Sequence, residues 1–303
     1  MPSVTRFFVN RTSEIGQLNL ALNSEGPEKD SFILVYGQPG IGKTQLLAKY
    51  LRECNFRNVR IAYVNLEDLI TKGYLGLIEV IVEGLGNDGF EDLDETFEEI
   101  LIRSQIEKSE AFAEHTQEQV PTRASGQGQG YIFNQAVTAQ QQTFIHGNVT
   151  YNNPKIENIY NIHLAEPEQV AELIQNRITR AFRSCLQKIA REQFVVILLD
   201  QWEKAGDPLK IWLNNHLLRW AAELTLKKAL VVLSREVLPL ELENQVGILP
   251  IAIPPFSREV ALEFWEKNGL AEEGFNSIDA EIYSIPGILS LVVGSQRLKQ
   301  GKG

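Results

Sequence analysis

The sequence predicts an α/β fold, a parallel five-stranded sheet flanked by helices, with a small C-terminal helical domain after it. Three observations carry this. Short apolar runs alternate with longer segments of helical periodicity, the pattern of strand–helix–strand units in a parallel sheet. The run Phe194-Val195-Val196-Ile197-Leu198-Leu199 has no polar member, as a strand covered on both faces requires. Pro254-Pro255 then breaks the chain, and the remainder reads as helical. One large domain therefore occupies 1–253 and a smaller one 254–303.

Each element follows from local chemistry. Thr12 is placed to cap a helix that carries Ile15, Leu18 and Leu22 on one face and ends at Gly26-Pro27. Phe32 to Tyr36 is the first strand and feeds a glycine-rich loop. A helix through Leu46, Leu47, Tyr50 and Leu51 comes next. Val59 to Leu66 reads as a second buried strand, and residues 74–115 as mostly helical. The acidic stretch from Glu91 to Glu99 reads as a solvated helix face. Residues 121–165 are rich in Gln, Gly, Asn and Thr, too polar for a core. They read as an insertion, with short strands at Tyr131 to Phe133 and Thr143 to Tyr151.

Further along, Val170, Leu173, Ile174, Ile178, Phe182, Cys185 and Ile189 form a helical stripe ahead of the apolar run that ends in Asp200. Trp212 to Leu224 reads as helical. Ala229 to Leu233 is a fourth strand ending in Ser234-Arg235, and Ile248 to Ile253 a fifth. Ser257 opens a helix bearing Val260, Phe264 and Trp265, closed by Asn268-Gly269. Two short helices follow, the second opening at Pro286, where proline suits a first turn.

Composition argues against several functions, though it leaves room for a local basic patch. The 303 residues carry 29 basic and 39 acidic side chains, a net charge of -10, which is wrong for a surface coated for nucleic acid or anionic membrane. No apolar run reaches the roughly 18 residues that a membrane span needs, and Met1 to Arg6 lacks a signal-peptide core. The expected location is the cytoplasm. Cys54 and Cys185 lack metal spacing and read as buried free thiols of a reducing compartment.

The chemistry lies in Gly37-Gln38-Pro39-Gly40-Ile41-Gly42-Lys43-Thr44, a full match to G-x-x-x-x-G-K-[ST] between a strand and a helix. Glycines let backbone N–H groups turn inward around phosphates, and the helix N-terminus adds its positive end. Lys43 supplies a cation to the β- and γ-phosphates and the Thr44 hydroxyl faces Mg²⁺, with Gln45 next in the same first turn. This defines a P-loop nucleotide site. Such a site needs a carboxylate on a neighbouring strand to hold Mg²⁺ through water, and Asp200 is the candidate; the bland alternative is a turn signal. Many P-loop ATPases place a water-orienting carboxylate next in sequence. Here Gln201 stands there, and Glu203, three residues past Asp200, is either that carboxylate or a surface residue. Arg235 is either a γ-phosphate sensor at the end of the adjacent strand or a solvated cation.

These segments together resemble the STAND class of signal-transduction ATPases, the NACHT and NB-ARC-like relatives of AAA+ proteins, and also origin-recognition-type AAA ATPases. "FFVNRTSEIGQL" is similar to the family's entry motif, which implies that Val9 and Arg11 line the adenine. "LLDQWEKA" resembles the extended Mg²⁺ motif, with an acidic residue three positions after the aspartate, which implies a catalytic Glu203. "VVLSREVLP" is similar to the sensor strand. "IPPFSREVALEFWEKNGL" and "SIPGILSLVVG" resemble the lid, whose proline packs on adenine, which implies that role for Pro286; the Gly-Pro order of the motif is not preserved. The long spacing from Lys43 to Asp200 departs from the pattern because of the insertion. No winged helix or sensor repeat follows the lid, as expected for an excised ATPase module or for one whose partner is a separate chain.

The resemblance implies a P-loop NTPase that binds ATP or ADP with Mg²⁺. The expected function is a signalling or assembly switch with slow ATP hydrolysis, acting with a protein partner or effector and as a nucleotide-dependent homo-oligomer. Three alternatives stand beside it: an AAA-type loader or remodeller acting on DNA, a hydrolysis-deficient nucleotide-binding module, and a small-molecule kinase, which the sensor strand and Pro286 disfavour. ATP over GTP rests on the resemblance, since no Asn-Lys-x-Asp motif is present.

Overall fold

The computed structural model describes residues 11–23, 32–57, 59–117, 152–222, 229–236 and 248–299. The predicted turn at Gly26-Pro27, the strands predicted within 131–151 and Val9 lie outside them. Helix α1 (Thr12–Asn23) precedes strand β1 (Phe32–Tyr36), α2 (Lys43–Phe56) and β2 (Arg60–Asn65). Helices α3 (Gly73–Leu85), α4 (Glu91–Gln117), α5 (Pro154–Ala165) and α6 (Glu168–Glu192) lead to β3 (Val195–Asp200). Then come α7 (Asp207–Leu213), a π-helical turn at Asn214–Leu218, α8 (Arg219–Ala222), β4 (Ala229–Arg235) and β5 (Ile248–Ala252). The chain ends in α9 (Arg258–Lys267), the single turns α10 (Glu272–Phe275) and α11 (Ala280–Tyr283), and α12 (Pro286–Lys299).

The five strands form one parallel sheet in the order β2-β3-β4-β1-β5. Successive side chains of a strand face opposite sides, so each strand feeds two cores. Ile33, Val35, Ile61, Val196, Leu198 and Val232 pack with Ile15, Leu18, Leu46, Leu47 and Tyr50 of α1 and α2. Leu34, Ala62, Val64, Ile197, Leu199 and Val231 pack with the helices from α3 to α8. A third, separate cluster holds the C-terminal helices, around Phe264, Trp265, Phe275 and Leu289. Ser257 caps α9 by accepting the Val260 N–H, as its sequence predicts.

Two expectations need correction. The polar insertion does not extend to residue 165. Asn153 caps α5, Pro154 takes its first turn, and Ile156, Ile159 and Ile162 are buried, the first two in the larger core. The acidic stretch of α4 is exposed, as its sequence reads, and it is also paired: Lys155 with Asp94 at 2.8 Å and Glu98 at 2.7 Å, Lys188 with Asp92 and Arg177 with Glu99. Exposed pairs of this kind add little to stability, since water screens them. The stripe of α6 is buried from Ile178 onward, whereas Val170 and Leu173, in its first turns, are exposed.

Candidate functional site

The site sits at the C-terminal edge of the sheet, where β1 runs into the loop before α2. Ile41 is fully buried and anchors this loop in the core beneath it. Gly40 and Gly42 take φ of 76° and 101°, a left-handed backbone that side-chain-bearing residues rarely adopt. Those two turns leave Gln38, Pro39 and Gly40 exposed around the N-terminus of α2, whose first turn holds no acidic residue to oppose an anion. The Lys43 ammonium bonds back to the carbonyls of Gly37 at 2.6 Å and Gln38 at 3.2 Å. Thr44 and Gln45 follow it, half-buried, in the first turn of α2.

Asp200 ends β3 with only 1% of its surface exposed. Its Oδ1 accepts the Gln201 N–H at 2.9 Å and its Oδ2 accepts the Tyr63 hydroxyl at 3.0 Å. Gln201 has φ 61°, the sole positive value at a non-glycine among the described residues. Strain of this kind clusters at working sites. The turn carries Glu203 back toward the loop, where its carboxylate accepts the backbone N–H of Glu236. Arg235 lies over the Trp202 ring, 5.8 Å from its centroid, within the field of Glu203.

Electrostatics ties these groups together. Burial pushes the Lys43 ammonium down, against the opposing pull of Glu203, Glu236 and Asp200. Burial likewise lowers Arg235 against Glu203, and raises the Tyr63 phenol with the help of Asp200. Ser234 Oγ and Arg235 Nε are buried without a hydrogen bond. Buried polar atoms left in this state want a partner. A bound phosphate tail with its cation supplies acceptors of the right kind, so the residues present fit a nucleotide with a divalent metal.

Lys43, Thr44, Asp200, Glu203 and Arg235 thus come from four segments to one edge. Arg11 lies elsewhere in the chemistry of the site. It is buried, pairs with Glu14 at 3.1 Å, donates to the Ile41 carbonyl at 3.2 Å and stacks 5.1 Å from the Phe256 ring. Pro286 opens α12, and its neighbours Ile285 and Gly287 are the residues that meet Gly40. Sequence reasoning missed Tyr63 and Glu236. Tyr63 carried a weak signal, a lone phenol among the apolar residues at the centre of β2; Glu236 carried none. A cleft of 610 Å³ between α3, α4 and α5 shares no residue with the loop. Its buried Glu79 is already engaged by the Asn153 N–H at 2.8 Å and by Lys72 at 3.8 Å.

A parallel sheet with a glycine loop between its first strand and a helix, and an aspartate ending a central strand, defines a P-loop NTPase fold. Residues 8–237 match the family described as AAA ATPase domain, and the chain belongs to that family, which implies nucleotide binding. No curated protein matches the sequence.

Among solved structures, the chain is similar to Cdc6p from Pyrobaculum aerophilum, with 14% identity, 100% of this chain and 66% of that chain covered, and a TM-score of 0.50. It is also similar to a signal transduction ATPase with numerous domains (STAND) that carries a tetratricopeptide repeat sensor, from Pyrococcus horikoshii. That match has 15% identity, coverage of 95% and 30%, and a TM-score of 0.42. A third is Aeropyrum pernix ORC1 in complex with DNA, with 13% identity, coverage of 99% and 63%, and a TM-score of 0.44. At 14% identity the likeness to Cdc6p speaks for the fold alone. The chain spans less than two thirds of the length of these solved proteins. No helix among the described residues is long and apolar enough to cross a membrane.

Proposed function

We propose that this chain is an ATP-binding signalling or assembly switch with slow Mg²⁺-dependent hydrolysis, acting with a protein partner or effector. One observation carries the reading: a glycine loop with Gly40 and Gly42 left-handed opens α2 at Lys43, on the same sheet edge where β3 ends in the buried Asp200. Thr44 and Asp200 are the residues to hold Mg²⁺, which when bound neutralises phosphate charge. Lys43 binds the phosphate tail and Arg235 reads its last charge. Glu203, fixed by the Glu236 N–H, is the carboxylate to orient water and accept its proton. The C-terminal helices act as a lid, since Gly287 donates to the Gly40 carbonyl at 2.9 Å.

A second reading, a module that binds nucleotide without turning it over, is favoured by Gln201 standing directly after Asp200. A loader on DNA has less support, given a net charge of -10. Phosphate release from wild type and from Glu203→Gln separates the first two. Turnover that Glu203→Gln abolishes, with ATP affinity kept, supports the switch. Binding without turnover in either protein supports the inert module. Light scattering with ADP and then with a slowly hydrolysed ATP analogue tests assembly.

A further inference from the structure

We infer that Tyr63 is a positioning residue for Asp200, setting the angle at which that carboxylate meets a divalent cation; this rests on the reading of Asp200 as the metal-facing carboxylate. Tyr63 and Asp200 belong to adjacent parallel strands, with Asn65 directly opposite Asp200 in the register. Side chains two residues apart share a face of the sheet, so Tyr63 stands on the Asn65 row, one step back from Asp200. Its ring packs with the core between the sheet and α2, and its hydroxyl reaches forward to the sheet edge.

The result is a carboxylate held from both sides. Oδ2 takes the Tyr63 hydroxyl at 3.0 Å, and Oδ1 takes the Gln201 N–H at 2.9 Å. An ionised carboxylate offers about four lone-pair positions. Two are thus used for alignment and two remain for the metal's hydration shell. One donor is backbone in a strained left-handed turn, and the other is a rigid ring anchored in a different strand. Neither can follow a rotation of Asp200, so the carboxylate plane is set before any cation arrives. Groups in this outer position tune metal affinity without touching the metal. A purely structural role would make Tyr63 matter equally with and without the metal.

The test uses the full chain and a fluorescent N-methylanthraniloyl ADP, titrated in EDTA and then at rising Mg²⁺. Tyr63→Phe keeps the ring and removes the one donor. The expected result is unchanged affinity in EDTA and a half-saturating Mg²⁺ concentration raised about tenfold. In an Asp200→Asn background, adding Tyr63→Phe should move the Mg²⁺ midpoint less than about twofold, because the partner is already altered. A parallel fall of affinity in EDTA and in Mg²⁺ would overturn the inference, as would an unmoved Mg²⁺ midpoint or a full effect that persists in Asp200→Asn. Wild-type protein that binds no nucleotide would remove the underlying reading of the site, and this inference with it.

Discussion

The backbone N–H of Gly287 donates to the carbonyl of Gly40 across 2.9 Å, so the first turn of α12 rests on the tip of the phosphate loop. The two segments meet backbone to backbone. A Cβ at 287 would lie 3.1 Å from both Cα and O of Gly40, closer than ordinary van der Waals contact. Overpacking of this sort costs about 1–3 kcal/mol. Gly287→Ala should therefore lift α12 from the loop and speed release of bound nucleotide by roughly fivefold or more. Stopped-flow displacement of the fluorescent ADP measures this, and an unchanged rate would mean that the contact does not gate release.

Lys43→Ala should weaken ATP binding by roughly tenfold or more, the worth of a charge-assisted hydrogen bond. Thermal stability should hold, because the lysine's present partners are the carbonyls of its own loop. Calorimetric titration and a melting curve on the same preparation check both halves. Unchanged affinity would remove the loop from the site.

Ile159→Ala should destabilise the fold by about 2–5 kcal/mol, the range for emptying a fully buried aliphatic position. Leu173→Ala, on the exposed start of α6, should stay within about 0.5 kcal/mol. Urea unfolding of the two variants compares them directly. Equal, small effects would return α5 to the periphery where its composition first put it.

The thiols give a pH prediction. Burial pushes the Cys54 thiol up to about 11, and Cys185 rises for the same reason. A thiol raised in the fold favours the native state fully at pH values below its unfolded pKa. That contribution fades as pH climbs through the folded value. Stability should therefore hold up to about pH 9 and then decline toward 11. Ellman's reagent at pH 8 should label neither thiol in folded protein and both after denaturation. Rapid labelling of the native chain would contradict the burial of both.

What was legible in the sequence was what is local. The loop and α2 declare themselves through glycines, a lysine and a threonine at fixed spacing, and β3 through six apolar residues before an aspartate. Helix α5 was hidden because a wide polar window averaged away Ile156, Ile159 and Ile162, whose three-residue spacing after Asn153-Pro154 marks a capped helix. The bond from Tyr63 to Asp200 spans 137 positions and depends on strand register, which neither segment encodes alone. The engagement of Glu203 by Glu236 depends likewise on a left-handed Gln201, and no composition rule foretells a glutamine there.

Arg11 joins three stretches that lie far apart along the chain: Glu14 in α1, the Ile41 carbonyl of the loop, and the Phe256 ring ahead of α9. Arg11, just ahead of α1, is thereby a strut between that helix, the loop and the C-terminal cluster. Protein trimmed to start at Thr12 would keep every strand and the whole glycine loop, yet lose the strut between loop and C-terminal cluster. Such a shortened product would pass a fold check by circular dichroism while misreporting how tightly the two halves clasp a ligand, so the choice of first residue is itself a functional variable.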